Sequence, residues 1–430
     1  MTGPAPAGGR GTAALLGRRR DRLSSQGRLA WPATVATAAL ASLFWWWGGA
    51  DFSAAPAPMA LLPERAASVV ARASAAASAA ASAAPGPPLS GLGDAQRREQ
   101  LALWQGRLER ARTTLSTYEQ ATRYPHDARP IDEHPDQVHP FEPIAEERAL
   151  RMPGGSAPPG LRLRTTQERV FASGQESSRI TLALQDDQGR MLPLRITRAV
   201  AKEVTPPGRT ASTAEYAMPI NDAGQAGDAS AGDGIYTAVM QPGAQGFGGF
   251  AGTVRLELLL DYAGQPGFIY FDLIYSPETA ATWVPGVRET LAAGSLQFGL
   301  KAQLLLPGRY VVSGRVDDAQ GQPLALLSFN RELAAGPAEF TLTLFGRLVH
   351  ERKPVFPLVL RDVEAFLLKP DTFPDRVMLP RLAGTVHTTR NHALASFSDA
   401  PWSSEERDRY LVELGKDVTE AEQKLRQLGP

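Results

Sequence analysis

The sequence predicts a mainly β protein with two antiparallel immunoglobulin-like β-sandwich domains, an N-terminal transmembrane helix, a long amphipathic helix and a C-terminal helix. Three observations predict this fold. Short alternating segments separated by turn signals fill residues 158–390, two stretches with helical spacing flank them, and an uncharged apolar run occupies residues 29–50. Short strands that follow one another about every 8–12 residues, without helices between them, are typical of β-sandwiches.

Composition excludes several classes of function. The chain has 430 residues, with 45 basic and 45 acidic side chains and no cysteine. Because the charges balance, the chain has no net field that would attract nucleic acid, and we expect no nucleic-acid partner. The absence of cysteine excludes disulfides, thiolate catalysis and cysteine-ligated metals.

Residues 29–50 predict a membrane helix. An apolar helix of about 20 residues covers the hydrocarbon core of a bilayer. Only the preceding segment, 1–28, is basic, and its arginines are Arg10, Arg18, Arg19, Arg20, Arg22 and Arg28. Basic residues stay on the cytoplasmic side, so we expect a single-pass protein of the bacterial inner membrane with most of the chain in the periplasm.

Two other interpretations of this run are open: a buried core helix and a cleaved signal peptide. The small residues Ala55, Pro56 and Ala57 resemble a signal-peptide cleavage site. Tryptophans favour a retained anchor, because they lie about one membrane span apart, as in an interfacial belt. These anchor residues are Trp31, Trp45, Trp46 and Trp47.

Residues 51–93 are rich in Ala, Pro and Ser and predict a spacer, because they contain too few large apolar residues to bury a face. Residues 94–123 predict an amphipathic helix, with Asp94 as its N-cap. Its apolar stripe is Leu101, Trp104, Leu108, Ala111, Leu115 and Tyr118. We expect this stripe to pack on the β domains, with coiled-coil self-association as the alternative. A second helix of this type is predicted over 402–428, and the two could pair.

Residues 124–157 form a segment rich in proline and histidine. Five prolines between Tyr124 and Ile144 predict an extended, turn-rich path without regular helix or sheet. The segment contains His126, His134 and His139, half of the histidines of the chain. His134 and His139 are a candidate zinc pair, and the alternative is an ordered loop that covers a sandwich edge.

Two blocks of alternating residues predict the β-sandwich domains, one over 158–280 and one over 281–390. Residues 179–184 and 253–258 alternate apolar and polar side chains in the first block. In the second block, strands are predicted at 309–316, 324–329, 339–348 and 355–368.

A loop rich in aspartate and glycine precedes a predicted strand at Ile235. Asp222, Asp228 and Asp233 alternate with glycines, which is the chemistry of a calcium loop. Their spacing is not that of an EF-hand, and no glutamate stands at the closing position. Calcium is therefore a possible cofactor, and a structural turn built by Asp and Gly is the alternative.

The phrase NDAGQAGDASAGDGIYT resembles the D-x-G-x-x-x-D-x-x-x-x-D-G-x-Y/F signature of the bacterial choice-of-anchor X domain group. The proline- and histidine-rich stretch upstream is also similar to what accompanies that domain. The likeness extends loosely over about residues 161–368. The resemblance implies an exported, membrane-anchored, immunoglobulin-like module, and it implies no reaction.

The sequence favours a binding or scaffolding function and no enzymatic activity. It lacks a nucleophile elbow, a phosphate-binding loop and a metalloprotease motif. We expect a protein partner in the periplasm or envelope. The alternatives are a hydrolase whose site assembles only in three dimensions, with histidines beside a carboxylate, and a glycan-binding protein with exposed coplanar aromatic side chains.

Overall fold

The computed structural model of the protein describes residues 93–152, 157–205 and 214–429. The predicted basic tail, the predicted membrane helix with Trp31, Trp45, Trp46 and Trp47, and the predicted spacer up to residue 92 lie outside these ranges. Within them, none of the helices combines the length and the apolar character that a membrane span requires.

The described part is mainly β, as the sequence predicts, and its sheets are almost entirely antiparallel. The helices are α1 (Asp94–Ala121), α2 (Gly346–Arg352) and α3 (Glu405–Leu428). The strands are β1 (Ala128–Pro130), β2 (Ile144–Ala149), β3 (Leu161–Gln167), β4 (Phe171–Ser173), β5 (Ser178–Asp186), β6 (Met191–Leu192), β7 (Arg195–Val204), β8 (Glu215–Ala217), β9 (Ile220–Asn221), β10 (Tyr236–Met240), β11 (Gly252–Tyr262), β12 (Gln265–Ser276), β13 (Ala281–Ala292), β14 (Ser295–Leu304), β15 (Gly308–Asp317), β16 (Pro323–Leu333), β17 (Gly336–Leu344), β18 (Val359–Leu368), β19 (Arg376–Met378) and β20 (Leu382–Thr388).

The first core lies between two sheets. Sheet I has the order β2-β3-β5-β10-β9, with β6 beside β5, and sheet II has the order β4-β12-β11-β7-β8. On β11, Val254, Leu256 and Leu258 are fully buried, while Arg255 and Glu257 between them point outward. This period of two is what buries one face of each sheet against the other.

The second core lies between sheet III, with the order β13-β14-β17, and sheet IV, with the order β1-β16-β15-β18-β19 and β20 beside β18. Phe340 on β17 is at its centre and is fully buried. Its ring lies 5.4–5.7 Å from those of Phe329, Trp283 and Tyr310. These ring contacts join the two sheets. We call sheets I to IV together the β body.

The two cores meet at a short junction. The Ser173 hydroxyl accepts a hydrogen bond from the Met378 amide at 2.8 Å, which links β4 of the first core to β19 of the second. Lys369 and Glu278 form an ion pair across the same junction at 2.8 Å. Between β12 and β13 the chain crosses from one core to the other in only four residues, 277–280.

Helices α1 and α3 run antiparallel, and each has the other as its principal partner. The Arg112 guanidinium donates to Glu422 at 2.7 Å, and the rings of Tyr118 and Tyr410 lie 5.8 Å apart. We call α1 and α3 the helix pair. The expectation that the α1 stripe packs on the β body is wrong, because the stripe of α3 occupies that face instead.

Three local predictions need correction. The stretch from Tyr124 to Ile144 is not free of regular structure: β1 pairs with β16, and two 3-10 turns cover Ile131–Glu133 and Pro135–Gln137. The strand predicted over 339–348 ends at Leu344 and gives way to α2, on which the adjacent Leu348 and Val349 are both buried. Gly93, not Asp94, is the N-cap of α1.

Candidate functional site

The loop between β9 and β10 contains the three candidate calcium ligands. Asp222 uses both carboxylate oxygens to accept backbone hydrogen bonds from Gly232, Asp233 and Gly234, at 2.8, 3.1 and 3.0 Å. Asp233 accepts from the amide of Ile235 at 2.9 Å. These bonds fold the loop on itself, as Asp-rich turns do.

Asp228 is the most buried of the three carboxylates, with 8% of its surface exposed. It accepts from the Gly224 amide at 2.6 Å and from the Thr237 hydroxyl at 3.0 Å, which joins the loop to β10. Within residues 93–152, 157–205 and 214–429, no group of three or more His, Asp or Glu residues is placed to hold a metal ion. The contacts favour the structural turn, and calcium binding stays a prediction.

The candidate zinc ligands lie on the segment that borders sheet IV. His134 is half-buried between two short 3-10 turns, and His126 and His139 are exposed. They belong to no metal-binding group in the described ranges. Zinc binding by His134 and His139 therefore stays a prediction, like the alternative of an ordered loop that covers a sandwich edge.

A buried arginine attaches this segment to the β body. Arg315 on β15 is 1% exposed, and its guanidinium donates to the carbonyls of Gln137 and Asp362 at 3.1 and 2.9 Å and to the side-chain oxygen of Gln137. Burial lowers the pKa of Arg315 to about 10. The segment thus covers a charged group inside sheet IV, and no residue spacing in the sequence predicts this contact.

The exposed aromatic residues of sheet II do not form one plane. Phe268 and Tyr270 point outward from β12 with ring centres 6.1 Å apart, but their planes are tilted by 39°. The Arg255 guanidinium lies 4.0 Å above the Tyr270 ring. This surface lacks the coplanar aromatics that a glycan-binding platform would present.

A groove of about 420 Å³ opens between β13 of sheet III and β20 of sheet IV. Eight apolar residues line it: Trp283, Val284, Pro285, Val287, Leu300, Leu382, Ala383 and Val386. In the described part, β13 pairs only with β14, and β20 pairs only with β18. Two strands that are each unpaired on one side therefore border the groove.

A bulge in β13 widens the groove. The pairing of β13 with β14 shifts between Trp283 and Val287, so residues 284–286 have no partners on β14. Pro285 lacks a backbone donor, and Gly286 has a φ of +95°, which a side chain would disfavour. This sequence therefore bends the strand away from the sheet at this position.

Side-chain contacts close both ends of the groove. At one end, the Trp283 indole donates to the Pro380 carbonyl at 2.7 Å. At the other, the Glu289 carboxylate accepts from His387 at 2.9 Å and from His392 at 2.6 Å. A carboxylate only accepts, so each imidazole donates through Nε2.

Glu289 is an inward-pointing charge on an edge strand, with its side chain 7% exposed. Burial raises the pKa of Glu289, but hydrogen bonds from His387, His392 and the Arg390 amide outweigh burial, and the pKa is lowered overall. We call these three side chains, Glu289, His387 and His392, the Glu-His clasp.

The charge that the groove offers is positive. Lys301 and Arg381 line it, and no acidic side chain does. Arg381 pairs with Glu364 at 3.1 Å, whereas Lys301 forms no ion pair in the described part of the chain. The groove therefore offers an apolar lining with an ammonium group that is available to an anionic ligand group.

Sequence reasoning missed this site. The signal that could have identified it is the phase of β13, in which Glu289 follows the half-buried Val287 by two residues and so shares its face of the strand. A glutamate at an inward position requires partners, and the histidines of VHTTRNH, residues 386–392, are the ones that the fold supplies.

No protein-family model matches the chain, and no curated protein matches it. Among solved structures it is similar to a DUF4785 family protein from Legionella pneumophila at 11% identity and a TM-score of 0.35, over 53% of this chain and 57% of that one. It is also similar to the adhesin InvE of Yersinia pseudotuberculosis, at 14% identity and a TM-score of 0.15, over 50% of this chain and 58% of that one. A third likeness, to trypsin-activated alpha-2-macroglobulin from Escherichia coli, has 11% identity and a TM-score of 0.20, over 54% of this chain and 16% of that one. The chain thus spans less than two thirds of each of these proteins, and the likenesses assign neither a family nor a function.

Proposed function

We propose that the chain is a membrane-anchored, periplasmic binding or scaffolding module without catalytic activity. The groove between β13 and β20 is its recognition site. The observation that carries this proposal is the combination of two half-paired strands, eight apolar side chains and Lys301, which has no ion pair in the described part of the chain, in one concavity.

The proposed ligand is an extended segment of a partner protein that carries apolar side chains and a carboxylate. Extended segments add to the free edge of a sheet through main-chain hydrogen bonds, and side-chain pockets give specificity. Lys301 would pair with the carboxylate, and Trp283 and Val287 would contact the apolar side chains. The Glu-His clasp fixes the distance between the two strands that receive the segment.

The rest of the proposal concerns fold and location. Each pair of facing sheets would be an immunoglobulin-like sandwich, as expected for a module of the choice-of-anchor X kind. Residues 29–50 would hold it in the bacterial inner membrane, with 1–28 in the cytoplasm. A reporter enzyme that works only outside the cytoplasm, fused after Gly93, should be active, and activity of a cytoplasm-specific reporter there would contradict this orientation.

Photocrosslinking tests the groove. A photoreactive amino acid at Val284, which is 44% exposed in the groove, should give one discrete adduct in native membranes. Leu305, which is 50% exposed on the loop after β14, is the matched control position and should give none. Lys301→Glu should abolish the Val284 adduct, because it replaces the unpaired cation with a charge that repels the proposed carboxylate.

The results divide clearly. Equal adducts at Val284 and Leu305, or a Val284 adduct that persists with Lys301→Glu, would contradict the proposed site. Lys301→Gln is the companion variant, since it removes the charge without reversal and should weaken the adduct less than Lys301→Glu.

A further inference from the structure

The helix pair has a defined register and a regular seam. The seam residues of α1 are spaced by three and four, as in a heptad repeat, and are Leu101, Trp104, Leu108, Ala111, Leu115 and Tyr118. The facing stripe of α3 runs from Leu411 to Leu428. The Arg112–Glu422 ion pair fixes which residues lie opposite each other.

The seam is incompletely covered. No residue of α1 is buried, and on α3 only Ala421 and Leu428 are buried. Leu103, which lies on α1 beside the seam, is 45% exposed. Two helices cover each other on one side only, so this pair retains apolar surface that a third and a fourth helix would cover.

One flank of the helix pair carries separated charges of opposite sign. Near the level at which α3 ends, it presents the cations Arg107 and Arg110, midway along α1, and Lys424 on α3. Toward the other end it presents the acidic residues Glu413, Asp417 and Glu420. The positions 107, 110 and 413, 417, 420, 424 are spaced by three and four, so on each helix they share one face.

These charges have few ionic partners within the pair, although the Arg107 guanidinium lies 4.6 Å above the Trp104 ring. In the described part of the chain, Arg107, Arg110 and Lys424 form no ion pair, and of the three acidic residues only Glu413 does, with Lys416 at 2.7 Å. Burial and the nearby charges of Glu420 and Glu413 raise the pKa of Asp417. The acidic end is therefore a repulsive cluster that a cation from outside the pair would relieve.

We propose that a second copy of the chain docks on this flank, with its basic end on the acidic end of the first copy and its acidic end on the basic end. A twofold axis perpendicular to the helices satisfies both contacts at once. It places the flank of one copy opposite the same flank of the other copy, running in the reverse direction. Leu103 of each copy becomes covered. The helix pair is thus a self-association surface, distinct from the groove of the β body.

Charge exchange in the full-length chain tests the proposal. One variant has Glu413→Lys, Asp417→Lys and Glu420→Lys, and the other has Arg107→Glu, Arg110→Glu and Lys424→Glu. Analytical ultracentrifugation in a mild detergent should show that wild type dimerises and that each variant alone does so at least about tenfold more weakly, since several ion pairs become repulsive. An equimolar mixture of the two variants should regain wild-type association.

The matched control reverses charge elsewhere on the same helix. Glu109→Lys with Glu119→Lys changes exposed acidic residues away from the flank and should leave the dimer unchanged. A monomeric wild type at tens of micromolar, or a mixture that fails to associate although circular dichroism shows both variants folded, would overturn the proposal.

Crosslinking gives a second readout that does not depend on charge reversal. The chain has no cysteine, so single cysteines report unambiguously. A mixture of Glu413→Cys and Lys424→Cys chains should form a disulfide-linked dimer at least several-fold faster than a mixture of Glu109→Cys and Gln423→Cys chains. Equal rates would contradict the proposed flank.

Discussion

In the second core of the β body, Phe298, Phe340 and Leu342 are fully buried, whereas in the helix pair no residue of α1 is buried at all. The two regions use the same apolar residue types, but sheets cover each other face to face and two helices do not. The β body is therefore stabilised mainly by its own packing. The helix pair buries less apolar surface within one chain. Its stability should therefore depend more on a partner than the stability of the β body does.

The largest expected contrast concerns core truncation. Phe340→Ala should destabilise the β body by about 3–5 kcal/mol, because it removes a fully buried ring and leaves a cavity. Leu108→Ala in the half-buried seam should cost only about 1–2 kcal/mol. Urea denaturation measures both. Equal losses would break the comparison, and Val412→Ala, at a side chain 58% exposed, is the surface control.

The joint between the two regions should respond to acid. Glu351 on α2 accepts from Arg123 at 2.9 Å, from Arg347 at 2.6 Å and from the Tyr124 hydroxyl. Burial opposes ionisation, but these hydrogen bonds outweigh it and lower the pKa of Glu351 from 4.5 to about 2. Because folding lowers the pKa of Glu351, the ionised carboxylate stabilises the folded state when the pH is above the ordinary pKa of 4.5. This stabilisation is lost as pH falls from 4.5 toward 2.

Glu351→Gln should therefore cost about 1–3 kcal/mol at pH 7 and much less at pH 2. Melting curves across that pH range give the measurement. Glu147→Gln, on the exposed edge strand β2, is the control and should show no such difference. A cost for Glu351→Gln that stays constant with pH would contradict the role assigned to the carboxylate.

The Glu-His clasp should give a smaller effect, confined to the β body. Glu289→Gln should destabilise the protein by about 1–2 kcal/mol at pH 7, because the glutamine amide has only one oxygen that accepts hydrogen bonds, whereas the carboxylate has two. Because the pKa of Glu289 is lowered, this difference should shrink as pH falls through the lowered value. Hydrogen exchange should rise in β13 and β20 and stay unchanged in α1 and α3, and exchange that rises equally in all four elements would contradict the assignment.

The smallest expected effect concerns the loop with Asp222, Asp228 and Asp233. If calcium binds, chelation lowers the melting temperature of the protein by about 1–3 °C, and Asp228→Ala removes the difference. Identical melting curves with and without chelator would leave only the structural turn. Either result is confined to the β body, since the loop lies between β9 and β10.

The β body was the easier region to predict from sequence. Alternation such as that of residues 253–258 predicts a strand with one buried face, and β11 confirms it. The boundary between β17 and α2 was missed because Leu344, Leu348 and Val349 continue an apolar run that fits either period. Tertiary contact sets this position apart: Gly346 lies so close to the Gly294 carbonyl that any side chain there would clash.

Side-chain partners that are distant in sequence could not be predicted. Glu289 meets His387 and His392 about a hundred residues later, and Arg315 meets Gln137 far upstream. No local pattern encodes such pairs, because sheet order brings them together. The histidines that stood out in the sequence, His134 and His139, owe their prominence to neighbouring prolines and carboxylates, and they belong to no group of three or more metal-binding side chains in the described part of the chain.

The most direct test of the contrast between the two regions is hydrogen exchange of the full-length chain at two protein concentrations. Amides of β11, β14 and β15 should exchange slowly and independently of concentration, because their protection comes from packing within one chain. Amides of α1 and α3 should exchange faster in dilute protein and slow down at least several-fold when the concentration is raised. Equal, concentration-independent protection in the helices and in the core strands would contradict this account.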